Sequence, residues 1–219
     1  LVTNPRDLPG MIKDLAKYRF TGAGAEAFLS RLMTNKMPKT GRIILTPMLN
    51  PGGKLIGDFT IGKLNDETFY MWGSSQAQRY HMRWFEKHLP SDGSVKIERL
   101  DMGLVGLSIA GPKSRDVLQA LTDEDVSNAA FKFMDIRAMD IGNCPVIINR
   151  VTYSGDLGYE MWVAPEYQRR LFAQIKKAGK PHGIVNFGMR ALLSMRLEKN
   201  FPTWYRELRP IYGPFEAGM

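Results

Sequence analysis

The chain has 219 residues, 44% of them hydrophobic and 24% charged, with a net charge of +8. That is the mix of a globular protein of one large domain or two small ones. It has no apolar run approaching the ~20 residues of a membrane-spanning helix, and its single Cys144 excludes an internal disulfide or a multi-cysteine zinc site.

The basic excess favours anionic partners. Its tightest groups, Arg169-Arg170, Lys176-Lys177 and Arg206 to Arg209, are short. Neither an RNA-recognition aromatic signature nor a zinc finger accompanies them, so nucleic acid is not the expected partner, and neither is a membrane. The opening Leu1-Val-Thr-Asn-Pro-Arg-Asp7 is polar, lacks an initiator Met and carries no secretory signal. The chain is therefore expected to be a fragment or a processed piece. Its lone thiol points to a reducing, cytoplasmic setting and to a small core residue.

In chain order, Pro5, Pro9 and Gly10 break the start, and a short apolar segment ends at Tyr18-Arg-Phe20. Thr21 is placed to cap a helix carrying Ala27, Phe28, Leu29, Leu32 and Met33, with Gly22 and Gly24 allowing close approach. Arg42–Thr46, Leu55–Ile61 and Thr68–Trp72 read as strands joined at Asn50-Pro-Gly-Gly53 and Asn65-Asp-Glu67. A helix follows from Ser75 to about His88, with Ala77, Met82, Trp84 and Phe85 near its apolar face. Strands are predicted at Val95–Leu100 and Gly103–Ala110, a helix at Ser114–Leu121, and a mixed stretch at Phe131–Ile141. Further on, Pro165 opens a helix running to Gly179, and Phe187–Lys199 forms another. Residues 201–219 read as irregular. Hairpins separated by single helices define an α+β protein of antiparallel sheets, and the pattern suggests two similar halves, around 42–88 and 95–178.

The chemistry-bearing stretch is Arg150-Val-Thr-Tyr-Ser-Gly-Asp-Leu-Gly-Tyr-Glu160, which follows the apolar run Pro145–Asn149. It reads as strand, polar turn, strand, with Ser154-Gly155-Asp156 as the turn. The phenol of Tyr153 and the carboxylate of Glu160 then lie on one hairpin. It is either an ordinary surface hairpin or a grip for a flat, hydrogen-bonding heterocycle. Asp58 sits among apolar residues in Leu55-Ile-Gly-Asp-Phe59. It either faces solvent or is held in a cleft with a shifted pKa.

Arg190 and Arg196 are separated by roughly 240° around a helix, so only one faces a given ligand. Arg190, in the first turn, suits a carboxylate through its planar fork, or else an ion pair on the surface. His81, His88 and His182 lack the spacing of a metal site, and there is no serine-nucleophile motif.

Five segments, in order, span nearly the whole chain: Asn50-Pro-Gly-Gly-Lys-Leu-Ile-Gly-Asp58, Ala110-Gly-Pro112, Tyr153-Ser-Gly-Asp-Leu-Gly-Tyr-Glu160, Arg190 with Met195-Arg-Leu-Glu198, and Pro214-Phe-Glu-Ala-Gly218. Together they resemble the glycine-cleavage T-protein (aminomethyltransferase) family. The ending Arg196-Leu-Glu-Lys-Asn-Phe-Pro-Thr-Trp204 looks closest to the folate domain of dimethylglycine and sarcosine dehydrogenases.

The resemblance implies one folate-binding domain over residues 1–219, without the family's C-terminal barrel-like domain. It implies tetrahydrofolate in a central cavity and transfer of a methylene group from a methylated amine. Asp58 would be the catalytic carboxylate near N10 of the folate. Tyr153 and Glu160 would hold the pterin, Arg190 the glutamate carboxylate, and Trp204 and Tyr212 would pack around the cleft. It implies a flavoprotein dehydrogenase domain or subunit as partner, since this chain carries no flavin-binding Gly-x-Gly-x-x-Gly. Two further readings are a non-catalytic folate-binding module and a folate-dependent demethylase of another methylated compound. The chain departs from the family at Gly57, where T-proteins usually carry the first of two adjacent Asp.

Overall fold

A computed structural model of the protein describes residues 15–219. The expected break at Pro5, Pro9 and Gly10 lies outside them. Two compact units form: residues 15–101 with Pro202–Met219, and Met102–Phe201.

The first unit holds β1 (Leu15–Thr21), α1 (Ala25–Leu32), β2 (Arg42–Leu49), β3 (Leu55–Asn65), β4 (Thr68–Ser74), α2 (Gln78–His88) and β5 (Lys96–Arg99). Its strands pair antiparallel in the order β2-β3-β4-β1-β5. The β2–β3 turn is the expected Asn50-Pro-Gly-Gly53: the Asn50 Oδ1 accepts from the Lys54 amide at 3.0 Å, and the Gly53 amide donates to the Asn50 carbonyl at 2.9 Å. Phe20, Phe59, Ile61, Phe69 and Met71 fill one face of the sheet, and Phe28, Leu29 and Phe85 come down on it from α1 and α2. Fully buried aromatic packing continues through T-shaped contacts of Phe85 with Tyr18 and Phe20.

Thr21 does not cap α1. It ends β1, paired with Thr68, and α1 starts after Gly24 with no side-chain cap. Strand pairing thus takes the residue that local capping preference would have claimed. Ala27 is exposed and Ala25 takes the core position. The Ser75–His88 helix is split into a 3-10 turn, Ser75–Ala77, and α2.

The second unit holds β6 (Val105–Ala110), α3 (Ser114–Gln119), β7 (Ile136–Asp140), β8 (Pro145–Asn149), β9 (Gly158–Val163), α4 (Gln168–Gly179) and α5 (Met189–Glu198). Its strands run antiparallel in the order β6-β9-β8-β7. Leu107, Ile109, Ile148, Tyr159 and Met161 form the core face with Leu118, Leu171 and Ile175 from α3 and α4. Cys144 is fully buried there. The mixed Phe131–Ile141 stretch resolves into a loop and β7.

Both units follow one plan. β1-α1-β2-β3-β4-α2 gives strand order 2-3-4-1, and β6-α3-β7-β8-β9-α4 gives 7-8-9-6. The two halves suggested by the sequence are a repeated connectivity, but the first opens one strand and one helix before residue 42, and the second opens at Val105 because Lys96–Arg99 belongs to the first sheet. Because successive strand residues alternate faces, each sheet has a second face away from its core. On the first sheet that face carries Asp58, Thr60, Tyr70 and Trp72, the two rings stacked at 6.0 Å. On the second it carries Ser108, Asn149, Glu160 and Trp162.

Candidate functional site

The β8–β9 hairpin is built on its turn. Gly155 adopts a φ of +73°, the left-handed region that a side chain rarely enters. The Thr152 hydroxyl donates to the Asp156 carbonyl at 2.7 Å, tying the loop across its neck. The Tyr153 ring stacks on Phe201 at 6.4 Å and 25°. It is half-buried and offers an aromatic surface beside the turn.

Glu160 lies in the middle of β9, opposite Ser108 on one side and Asn149 on the other. Desolvation pushes the carboxyl of this half-buried residue up to about 7, with no offsetting charged group among the described residues. Such a carboxyl sits near half-protonation at neutral pH, so a ligand's hydrogen-bond donors decide its ionisation. Asn149 is fully buried. Neither its Oδ1 nor its Nδ2 has a hydrogen-bond partner among the described residues. In the sequence this residue reads as the tail of an apolar run. Its signal was a polar amide ending a Pro-Val-Ile-Ile strand, and its meaning needed the strand register.

In the first unit, Asp58 stands opposite Pro47 on the second face of β3. Its carboxyl is raised to about 6, again by burial alone. As a residue Asp58 is half-buried. The neighbouring Gly57 is fixed by packing. A Cβ there would lie 2.4 Å from Cε2 of Phe59 and 3.2 Å from Nε2 of His81, so the Phe59 ring occupies the space a side chain would need. Phe59 in turn meets His81 edge-on at 4.7 Å. The His81 imidazole is buried and donates from Nε2 to the Ile56 carbonyl at 2.9 Å. Desolvation holds it down to about 4, so it stays neutral.

The remaining expected residues divide between the units. Arg190 is exposed on α5, while Arg196 is 3% exposed and donates from Nη1 to the Phe201 carbonyl at 2.8 Å. The two face different ways, as the helical spacing required. Trp204 is 7% exposed in the core of the first unit, 6.0 Å from the His81 ring. Tyr212 is 40% exposed, and its backbone carbonyl accepts from the Leu55 amide at 2.9 Å. The structure thus groups Tyr153, Glu160 and Arg190 in one unit and Asp58, Trp204 and Tyr212 in the other.

Fold and side chains define an α+β protein of two repeated antiparallel sheets, each bearing a desolvated carboxylate on its second face. Residues 12–219 match the family model described as the GCVT N-terminal domain, and the chain belongs to that glycine-cleavage T-protein family. It is 33% identical over 209 residues to dimethylglycine dehydrogenase, mitochondrial, of Homo sapiens, covering 95% of this chain and 24% of the relative. It is 29% identical over 210 residues to an aminomethyltransferase of Halalkalibacterium halodurans, covering 95% of this chain and 57% of the relative. The crystal structure of glycine cleavage system aminomethyltransferase T from Bartonella henselae superposes with a TM-score of 0.79 at 20% identity. That superposition covers 93% of this chain and 54% of the crystallised one, and it shows the same fold. The chain thus spans only part of the length of the relatives it matches.

Proposed function

We propose that this chain binds tetrahydrofolate and serves folate-dependent one-carbon transfer, taking a methylene group from a methylated amine. The single observation that carries the reading is Glu160, a desolvated carboxyl with no charged partner among the described residues, on the same hairpin as the half-buried Tyr153 ring. An unpaired carboxyl in such surroundings fits a ligand that brings its own N–H groups.

Bound tetrahydrofolate supplies the nucleophilic nitrogens that take up the one-carbon unit. Glu160, once ionised, accepts two N–H bonds from the 2-amino-pyrimidinone edge. Tyr153 offers its face to the flat ring. Asp58, with a carboxyl near 6, holds or releases a proton near N10. The exposed Arg190 takes the glutamate carboxylate with its planar fork. The net charge of +8 draws polyglutamylated folate in from solution. A relative named dimethylglycine dehydrogenase supports a methylated glycine as donor and a dehydrogenase domain or subunit as partner.

Anaerobic titration calorimetry with tetrahydrofolate tests the reading. Micromolar binding is expected. Glu160→Gln is expected to weaken it by about 1 to 3 kcal/mol, the cost of losing a buried charge-assisted partner. Asp58→Ala is expected to retain binding and lose methylene transfer when a methylated glycine and its flavoenzyme are supplied. A folded chain that binds no tetrahydrofolate overturns the reading.

One observation favours a second reading. The family's first Asp of the pair has no room at Gly57, where the Phe59 ring lies. A folate-binding module that performs no transfer fits that loss. Product formation that depends on this chain decides against it.

A further inference from the structure

Asn149 ends β8, directly opposite Glu160, and Glu160 is directly opposite Ser108 on β6. Side chains directly opposite on antiparallel strands project to the same face, with Cβ atoms about 5 Å apart. Ser108, Glu160 and Asn149 therefore form one polar row across three strands. The core residues Leu107, Ile148, Tyr159 and Met161 are on the other face. Within that row Asn149 has no solvent exposure, and both ends of its amide lack partners among the described residues. A primary amide carries two donor hydrogens and an acceptor oxygen. Burying it unpaired is costly and rare in native proteins. The nearest group in register that can use its donors is the Glu160 carboxylate.

We propose that Asn149 is the positioning residue of Glu160, its Nδ2–H turning onto the carboxylate and fixing its plane when a ligand's N–H groups arrive on the other edge. The inference rests on Glu160 as the anchor of the bound heterocycle. Its chemistry follows from valence. An ionised carboxylate offers about four lone-pair sites. Two flat N–H donors of a ligand use one pair of them, and the rest need donors from the protein. Of the residues directly opposite Glu160, Ser108 is partly exposed and open to water, whereas the Asn149 amide is dry and unspent. Neither of these cross-strand neighbours is ionisable, and among the described residues no charged group contributes to the state of Glu160. The Asn149 donor is the one that acts without solvent competition. Without it, the carboxylate would be gripped on one edge and free to rotate, and its ionised form would be less favoured.

The test is a set of shape-matched variants titrated anaerobically with tetrahydrofolate across a pH series, with thermal melting of each ligand-free chain. Asn149→Val removes the donor, and Asn149→Thr has the same outline with a hydroxyl donor restored. Asn149→Ala is a second donor-free variant should Val not fold. The donor-free variants are expected to bind roughly tenfold more weakly, since one charge-assisted hydrogen bond is lost. Their affinity is also expected to rise with pH at a higher midpoint than in the wild type. Asn149→Thr is expected to recover most of the affinity and the wild-type midpoint. Equal binding by Val, Thr and wild type overturns the proposal, and so does equal weakening by Val and Thr, which marks a shape effect. Glu160→Gln separates the layers. If it weakens binding and Asn149→Val does not, the positioning role fails and the Glu160 anchor stands. If the folded wild type binds no tetrahydrofolate, the anchor reading fails and the positioning role falls with it.

Discussion

At the residue scale the protein is governed by groups held away from their ordinary ionisation. Glu160 is raised to about 7 and Asp58 to about 6. A carboxyl raised on folding binds more protons in the native state than in the unfolded one, so its contribution to stability is present at low pH and lost as pH rises through the native value. His81, depressed to about 4, acts with the opposite sign: its contribution is present above the ordinary histidine value and lost as pH falls. The windows overlap, so the wild-type profile mixes opposed slopes and the informative quantity is a difference. Glu160→Gln removes one falling slope. Its stability relative to wild type is expected to increase by about 2 kcal/mol between about pH 5 and about pH 8, measured by denaturant unfolding. An unchanged difference would mean that the carboxyl is not desolvated in the free protein. Gly57 is a steric counterpart. Gly57→Ala is expected to cost about 1 to 3 kcal/mol, because its methyl group meets the Phe59 ring. Trimming that ring with Phe59→Leu in the same chain should recover part of the Gly57→Ala cost, and full additivity would count against the clash.

At the element scale, the hairpin separates what could be read from the sequence and what could not. Its turn was legible, because Ser154-Gly155-Asp156 carries turn chemistry independent of anything distant. The two strands were legible from apolar runs. The register was not: Asn149 faces Glu160 only through inter-strand pairing, and no local signal encodes which residue lies opposite which. The same limit explains Thr21, whose capping chemistry is genuine but yields to ladder pairing with Thr68. Carboxylates at Asp58 and Glu160 could be named from sequence, yet their desolvation depends on packing that no window of sequence contains. The turn gives a direct test. A Cβ at Gly155 would enter the left-handed region and lie 2.6 Å from the flexible Lys199 side chain. Gly155→Ala is expected to cost about 1 kcal/mol of stability. A loss of folate affinity beyond that effect would show that the turn also sets the Tyr153 ring.

At the scale of the whole molecule, the sequence pattern gave the α+β class and hinted at two halves. The structure makes the halves one connectivity used twice. The net charge of +8 also acts at this scale, since it is spread over the chain and no single cluster dominates. Binding of a polyglutamylated folate is therefore expected to weaken with ionic strength more steeply than binding of the monoglutamate. Equal slopes in a salt titration would confine recognition to the heterocycle.

The return of Pro202–Met219 to the first unit reverses the order of completion during synthesis. Trp204 and Leu208 sit in the core built by residues 15–101, so a nascent chain that has emerged through β5 still lacks part of that core. Among the described residues, the Met102–Phe201 unit is one uninterrupted segment. The half translated first is thus the last to be sealed, and a chain that stops between Phe201 and Trp204 leaves it open with the Met102–Phe201 segment already made.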